Sequence, residues 1–424
     1  RVNLTITPSD KFTASTNFFL ASGHTAIGDP FNSVLFNLWS GVPSLAETPR
    51  RGFFTAPPEV INALQEAWQS TDRFTVSTQM THRPNRWLSH RVSVGLDLTN
   101  EEDVNFRRQA SPEQAVFFTP LIASGGKFLN RQRVSNITLD YAATGTVSLS
   151  NSLSSSTSAG LQHYRNRYAN VYAEGVGFPS AVLQTISAAA TKQGSESYVE
   201  NASVGVFLQE QLSWKDRLFL TGAIRVDNNS AFGSDFDFVT YPKASLSWVV
   251  SEEPFWGGSL VNQLKLRAAY GASGQQPQTF AAIRTYNPTS RGDGSSTVTP
   301  GAVGNPLLGP ERGAELELGF EAGLLNDRLS LDFTYYNRQT KDAILSRPVA
   351  PSGGFTTDQF VNVGRIDNWG LELLATARLI QKRSLTFDLT ANASTNKNEI
   401  VDLGGPEIIS LDDVYQHRVG YPVY

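Results

Sequence analysis

Five histidines, His24, His82, His90, His163 and His417, are the side chains best suited by type to metal or proton chemistry, and their spacing supports neither. His82 and His90 straddle a turn with no carboxylate nearby, whereas a zinc site needs three or four ligands drawn from His, Cys, Asp and Glu. The chain has no cysteine, which removes thiol nucleophiles, disulfides and cysteine metal sites together. Serine is plentiful, yet there is no Gly-x-Ser-x-Gly elbow, His-Glu-x-x-His pair or Walker loop. Nothing singles out a Ser/His/Asp set for acyl transfer. Arg291-Gly292-Asp293-Gly294 has the form of an adhesion tripeptide, but Gly-Asp-Gly is ordinary turn chemistry. The expectation is a protein that is not an enzyme and carries no metal and no cofactor.

Binding chemistry is what remains, in two sets of residues. Trp39, Phe53, Phe54, Tyr286 and Phe355 fall in segments predicted to be long loops. Flat rings there could stack on sugars or grip apolar peptide side chains; loop packing and interfacial girdle duty are the competing readings. Arg225, Asp227, Arg267, Asp332, Arg338, Glu372 and Arg378 fall inside predicted strands, among Thr, Ser and Asn.

The elements that must position both sets are long strands. From Val134 to Ser150 large apolar and small polar residues alternate: Ile137, Leu139, Tyr141, Val147 and Leu149 against Thr138, Asp140, Thr144, Thr146 and Ser148. A run of this length would rise roughly 50 Å at ~3.3 Å per residue, enough to cross a bilayer obliquely and project beyond it. The same beat recurs in Leu218 to Asp227, Arg328 to Arg338 and Leu385 to Ser394. About fourteen such strands are predicted, joined alternately by short turns and long segments; only the link from Ser230 to Phe236 is ambiguous. Short turns are expected at Pro8-Ser9-Asp10, Pro84-Asn85-Arg86, Asn151-Ser152-Leu153, Trp214 to Arg217, Leu325-Asn326-Asp327 and Gln381 to Ser384. Pro57-Pro58-Glu59 followed by Val60, Ile61, Leu64, Ala67 and Trp68 predicts a helix within one long loop, and Ser111-Pro112-Glu113-Gln114 a shorter one.

Bacterial outer-membrane barrels have short periplasmic turns and long extracellular loops, with apolar residues outward and polar ones inward. The expected fold class is therefore all-β, a transmembrane antiparallel β-barrel, with the seven strand charges facing the lumen. A charge on the lipid face near midplane costs ~2–4 kcal/mol. Glu210 shares parity with Val206, Leu208 and Leu212 and is read as a rim residue, four positions from its turn.

Composition agrees. Of 424 residues 17% are charged and 11% aromatic, against about 25% charged in soluble proteins. No apolar run approaches the ~18 residues of a membrane helix. A formal net charge of −4 without a basic stripe argues against nucleic-acid binding. Two other classes stay open on these grounds: a passive porin, and a secreted β-rich binding or adhesion protein.

The wording of the second half adds a resemblance. Lys215 to Asp227 with Ser230-Ala231-Phe232-Gly233, Tyr241 to Trp248 with Ser251-Glu252-Glu253, and Leu264 to Gly271 resemble the SusC/RagA-like TonB-dependent receptors. So do Asn305 to Glu311, Glu315 to Gly319, Tyr335 to Asp342, Asn362-Val363-Gly364 and Gly370 to Leu373. The blocks follow the family's order from about Ser195 to Asn398, while Arg1 to Lys192 agrees only in rhythm. The resemblance implies a barrel of about 22 strands with a plugged lumen. It also implies import of glycan or peptide fragments driven by TonB, and a SusD-like surface lipoprotein over the mouth. On that reading residues 1–424 are a partial barrel domain. TonB box, plug and N-terminal domains would lie outside it, and so would C-terminal strands, because His417 to Tyr424 makes no terminal strand.

Overall fold

The computed structural model describes residues 1–27, 39–234, 238–258, 260–290, 292, 294–405, 408–410 and 416–423. Its strands in chain order are β1 (Val2–Ser9), β2 (Phe12–Ala26), β3 (Gln65–His82), β4 (Leu88–Arg107), β5 (Gly126–Ser150), β6 (Leu153–Val176) and β7 (Thr191–Trp214). Then come β8 (Leu218–Asn229), β9 (Val239–Val249), β10 (Val261–Gln275), β11 (Tyr286–Ser290), β12 (Ser296–Pro300), β13 (Glu311–Leu324) and β14 (Leu329–Lys341). The last are β15 (Ile344–Arg347), β16 (Gln359–Asn362), β17 (Arg365–Lys382), β18 (Leu385–Asp402), β19 (Ile408–Ser410) and β20 (Gln416–Arg418).

Fourteen of them form one antiparallel sheet in the order β1-β2-β3-β4-β5-β6-β7-β8-β9-β10-β13-β14-β17-β18. Every neighbour in the sheet is thus the next long strand along the chain, an up-and-down meander. The pairs β11–β12, β15–β16 and β19–β20 are separate two-stranded sheets. By contacts the chain divides into two compact units. The first comprises Arg1–Met80, Ser93–Leu139 and Tyr164–Glu200, the second Thr81–Val92, Asp140–His163 and Asn201–Tyr424.

The alternation seen in the sequence is the register of the second unit. Opposite pairs Phe320↔Phe333, Leu318↔Tyr335 and Leu316↔Asn337 share one face, and Glu321↔Asp332 and Glu315↔Arg338 the other. The apolar face continues through Phe333↔Leu373 and Tyr335↔Leu371. Leu220, Ile224, Leu246, Leu266, Leu316, Leu318, Leu371 and Leu373 are all exposed there. Buried apolar residues lie instead at strand ends and in loops, for example Leu308, Val239, Val361 and Ile400. In the first unit the buried group is Val104, Phe106, Phe178 and Ala189. An apolar belt left exposed, with the core displaced into the loops, inverts the soluble pattern and suits a sheet solvated by lipid.

Short connections have turn geometry that the sequence allows. Lys215 and Asp216 are both left-handed, φ 49° and 54°, as a tight turn matched to strand twist requires. Leu325, Asn326 and Asp327 are left-handed in succession. Long connections are stitched by side chains. Asn362 Nδ2 donates to the carbonyls of Gly309 and Asp342, and its Oδ1 accepts from the Gly309 N–H at 2.7 Å. Thr357 and Gln359 donate to the carbonyls of Gly301 and Gly304.

Several predicted boundaries shift. The first turn is Asp10-Lys11, with Pro8 and Ser9 still extended in β1. The helix at Pro58–Leu64 stops at Leu64; Ala67 and Trp68 already belong to β3. Its apolar spacing had extended one turn too far, since aromatic and small residues serve a half-exposed strand equally well. The stretch from Val361 to Ile380, which its pattern alone reads as one strand, is divided at Gly364 (φ 97°) between β16 and β17. The alternation places the loop-side limits of β3, β4 and β7 at Arg73, Thr99 and Tyr198, and the strands run seven or eight residues further, to Gln65, Arg107 and Thr191. In β7 polar residues occupy both faces there, and in β4 the polar run Asn100-Glu101-Glu102-Asp103 interrupts the beat before Val104 and Phe106 resume it. The capping box at Ser111 and Gln114 forms as read. Arg291, Asp293, Phe236 and Tyr424 lie outside the described residues.

Candidate functional site

The strand charges gather on the polar face of the second unit and close on one another. Arg267, in the middle of β10, donates to Glu321 at 3.1 Å, to Thr334 Oγ1 at 2.8 Å and to Asp332. Lys265, two residues earlier on the same face, reaches Glu321 at 3.1 Å. The arginine fork can span three strands because Gly319 lies between: a Cβ there would press on Arg267 Nε and the Phe333 carbonyl. Arg225 bonds Asp227 at 2.8 Å and Gln162 at 2.8 Å, and this pair lies over Gly205, where again a Cβ would collide with both side chains. Arg378 donates to Asp388 at 3.2 Å.

Two polar cavities open on this face. One, of about 500 Å³, is lined by Arg225, Asp227, Tyr241, Gln276, Glu311 and Arg338 among others. The other, of about 640 Å³, is lined by Arg267, Asp332, Thr334, Glu372 and Asn392, with Leu373 and Leu374. Of the seven charges singled out in the sequence, six thus line one cavity or the other, and Arg378 stands apart with Asp388. Both cavities offer arginine forks, carboxylates and amides, and the first adds the Tyr241 phenol, a set that hydrogen-bonds polar ligands or a polar protein segment. Reading the sequence overlooked Lys265, Glu321 and Gln162, whereas Thr334 shares the polar side of its strand with Asp332 and Arg338. Lys265 shares parity with Arg267, and Glu321 with Glu315 and Glu317 of its own strand, so the signal was present. Gly205 and Gly319 carry none in sequence; only the close approach of an arginine across the pleat distinguishes them.

The loop aromatics divide. Tyr286 and Phe355 meet, with ring centroids 6.1 Å apart, and Arg284 lies 5.3 Å from the Phe355 ring. Phe355 is 8% exposed and Tyr286 54%, so Tyr286 offers the open ring while Phe355 supports it. In the first unit Trp39 is 87% exposed. Phe53 and Phe54 follow a 3-10 turn at Pro43–Leu45, and Arg50 ties that loop down through the carbonyls of Phe54 and Phe117.

Of the histidines, His82 and His90 stack at 6.0 Å and His90 bonds the Tyr141 hydroxyl. His163 bonds the Ser203 carbonyl. Among the described residues no group of three or more His, Cys, Asp or Glu is placed to hold a metal. Glu210, the apolar-face carboxylate, accepts from Ser155 and Thr157 hydroxyls on β6 at 2.5 Å each.

A fourteen-stranded meander with one exposed apolar face and one charged, cavity-bearing face is the anatomy of an outer-membrane barrel wall. Residues 9–419 match the family model of the TonB-dependent receptor-like β-barrel, and the chain belongs to that family. Its members are outer-membrane receptors of Gram-negative bacteria. TonB-dependent receptor P26 of Formosa agariphila is 33% identical over 204 residues, covering 47% of this chain and 20% of that protein. TonB-dependent receptor SusC of Bacteroides thetaiotaomicron is 28% identical over 282 residues, covering 61% of this chain and 28% of that protein. Among solved structures, the RagAB peptide transporter aligns with a TM-score of 0.87 at 19% identity, over 99% of this chain and 49% of that one. The chain thus spans between 20% and 28% of these curated relatives, and about half of the matched structure.

Proposed function

We propose that the chain is the barrel wall of an energised importer of nutrient fragments, glycan or peptide. Ligand would be caught at the loops and pass along a lumen lined by the polar face. The observation that carries this reading is the charged, cavity-bearing face within a TonB-dependent receptor fold. Self-paired arginines and carboxylates make a wall against which a mobile polar plug can exchange contacts through water. Arg225, Asp227, Arg267, Asp332, Arg338, Glu372 and Arg378 are assigned to that wall, for plug or ligand contact. Trp39, Phe53, Phe54, Tyr286 and Phe355 are assigned to the loop tier that first meets ligand. TonB is the implied energy-coupling partner and a SusD-like surface lipoprotein the implied partner at the mouth. The RagAB peptide transporter is the similar structure that suggests the peptide class, and the glycan class is what the resemblance to the SusC/RagA-like receptors implies.

Uptake in a strain deleted for the gene and complemented with it tests the reading. Labelled oligosaccharides and oligopeptides are supplied with and without a protonophore. Gene-dependent, protonophore-sensitive uptake of one class is expected. Gene-dependent uptake that persists without a proton gradient would instead make the protein a passive porin, and no gene-dependent uptake of either class would end the proposal.

A further inference from the structure

The apolar face of the second unit ends, on its turn side, in tryptophans. Trp214 of β7 stands opposite Leu218, Leu218 opposite Trp248, and Trp248 opposite Leu266. One step further into the sheet on the same face, Leu220 stands opposite Leu246. Trp87, beside the β3–β4 turn, lies against Gly145 of β5, which shares parity with the exposed Tyr141 and Val147. Short turns of outer-membrane barrels face the periplasm, and aromatic rings mark the level where acyl chains give way to headgroups.

Under this row one connection differs from its neighbours. The other turns on this side span only a few residues, whereas β9 and β10 are joined by Val250 to Leu260. A 3-10 turn at Val250–Glu252 leads to Glu253, which is buried. The Trp248 indole N–H donates to Glu253 Oε1 at 3.1 Å, and Arg217 lies 3.6 Å from Oε2. A carboxylate can be buried here because both oxygens are matched. The Trp256 backbone N–H donates to the Glu253 carbonyl at 2.9 Å, and its indole to the Val261 carbonyl at 3.0 Å. The Leu260 carbonyl accepts from the Leu325 N–H of the β13–β14 turn at 3.0 Å. The connection is thus tied down at both ends, and Phe255 between them is left 68% exposed.

Phe255 meets the Trp248 ring edge to face, with centroids 6.4 Å apart and planes at 68°. Trp248 projects from the apolar face, so Phe255 stands on the lipid side of the sheet and away from the lumen. Nearby charges balance without a surplus for phosphate: Lys215 and Arg217 against Asp216, Glu252 and Glu253, with Lys215 Nζ 4.7 Å from the Trp214 ring. Rings are what this connection presents, continuous with the lipid belt.

We propose that the β9–β10 connection is a foot standing in the interfacial layer of the periplasmic leaflet. The Phe255 ring enters among the glycerol and first acyl groups of phospholipid, and Glu253 is the positioning residue that holds it there. The proposal depends on the barrel lying in a bilayer and not on what the receptor imports.

A nitroxide on Phe255→Cys tests this in the whole receptor, reconstituted in phosphatidylcholine vesicles. Residues 1–424 contain no cysteine, and any elsewhere in the receptor is replaced by serine. Relaxation of the label by oxygen, which concentrates in the bilayer, is compared with relaxation by a water-soluble nickel chelate. Arg383→Cys, in the short β17–β18 turn, supplies the reference for a label in water. The oxygen-to-nickel ratio at position 255 should be several-fold that at 383, and the same in phosphatidylglycerol vesicles. Glu253→Ala should bring the ratio at 255 down toward the reference. Glu253→Gln, which keeps an acceptor for the Trp248 indole, should retain most of it, a rescue that a general folding defect would not show. A ratio at 255 equal to the reference overturns the proposal, as does an unchanged ratio in Glu253→Ala. A label shielded from both relaxants would mean that a protein segment covers the ring, and insertion confined to phosphatidylglycerol would make the contact one of charge; either result overturns it.

Discussion

Two arginine clusters, one in each compact unit, show what the same residue does on opposite faces of a membrane sheet. On the polar face of the second unit, Arg225, Arg267 and Arg378 each find a carboxylate on their own or an adjacent strand, and two of them rest over glycines. On the apolar face of the first unit, Arg131, Arg133, Arg165 and Arg167 have two paired carboxylates among them, and their surroundings are open. The first arrangement settles its charge internally, as a wall facing water and a polar protein segment can. The second is matched less completely on the sheet itself: Arg165 and Arg167 share Glu200, and Arg133 makes no ion pair among the described residues. The lesson is that the face and level of an arginine decide whether its partner is built into the fold.

The face assignment is broken most severely by placing a charge against it. Leu318→Arg, mid-strand on the apolar face, should cost about 2–4 kcal/mol, whereas Thr376→Arg on the polar face should cost less than about 1 kcal/mol. Urea titration of vesicle-folded protein, read by the heat-dependent mobility shift of folded barrels, measures both; equal losses would remove the distinction between faces. Gly319→Ala tests whether the polar-face arginine needs its seat. The added methyl meets Arg267 and the Phe333 carbonyl, so a loss of about 1–3 kcal/mol is expected from local overpacking.

Removing the arginine itself should matter somewhat less. Arg267→Met leaves Glu321 and Asp332, directly opposite in register, facing one another with only Lys265 to compensate. A loss of about 1 kcal/mol is expected for such partly exposed charges, and adding Asp332→Asn should restore about half of it. No recovery in the double variant would show that the pairing is incidental. Arg131→Gln in the apolar-face cluster should change stability by less than about 0.5 kcal/mol, because both it and Glu102 are solvated. A loss as large as that at Arg267 would mean that the two clusters are alike in kind.

Much of this architecture is legible in the chain. Period-two alternation is forced wherever one face of a strand meets lipid and the other water, so Leu218 to Asp227 or Leu329 to Arg338 can be assigned to faces residue by residue. The alternation of short and long connections likewise orders the strands. Legibility stops where that constraint stops. Loop-side extensions such as Thr191 to Glu196 are exposed at every position and carry no beat. The helix at Pro58–Leu64 could be placed at its start by proline, but its end is decided by the pairing of β3.

For the site, the residue types were readable and their company was not. Arg225, Arg267 and Arg338 could be assigned to the polar face by parity alone, because each strand obeys the same local geometry. That Arg267 spans to Glu321 and Asp332, that Gly205 and Gly319 make room for arginines, and that Tyr286 and Phe355 meet all depend on cross-strand register and loop closure. Those relations join residues 20 to 70 positions apart. A strand specifies which way its side chains point; only the paired sheet specifies what they point at.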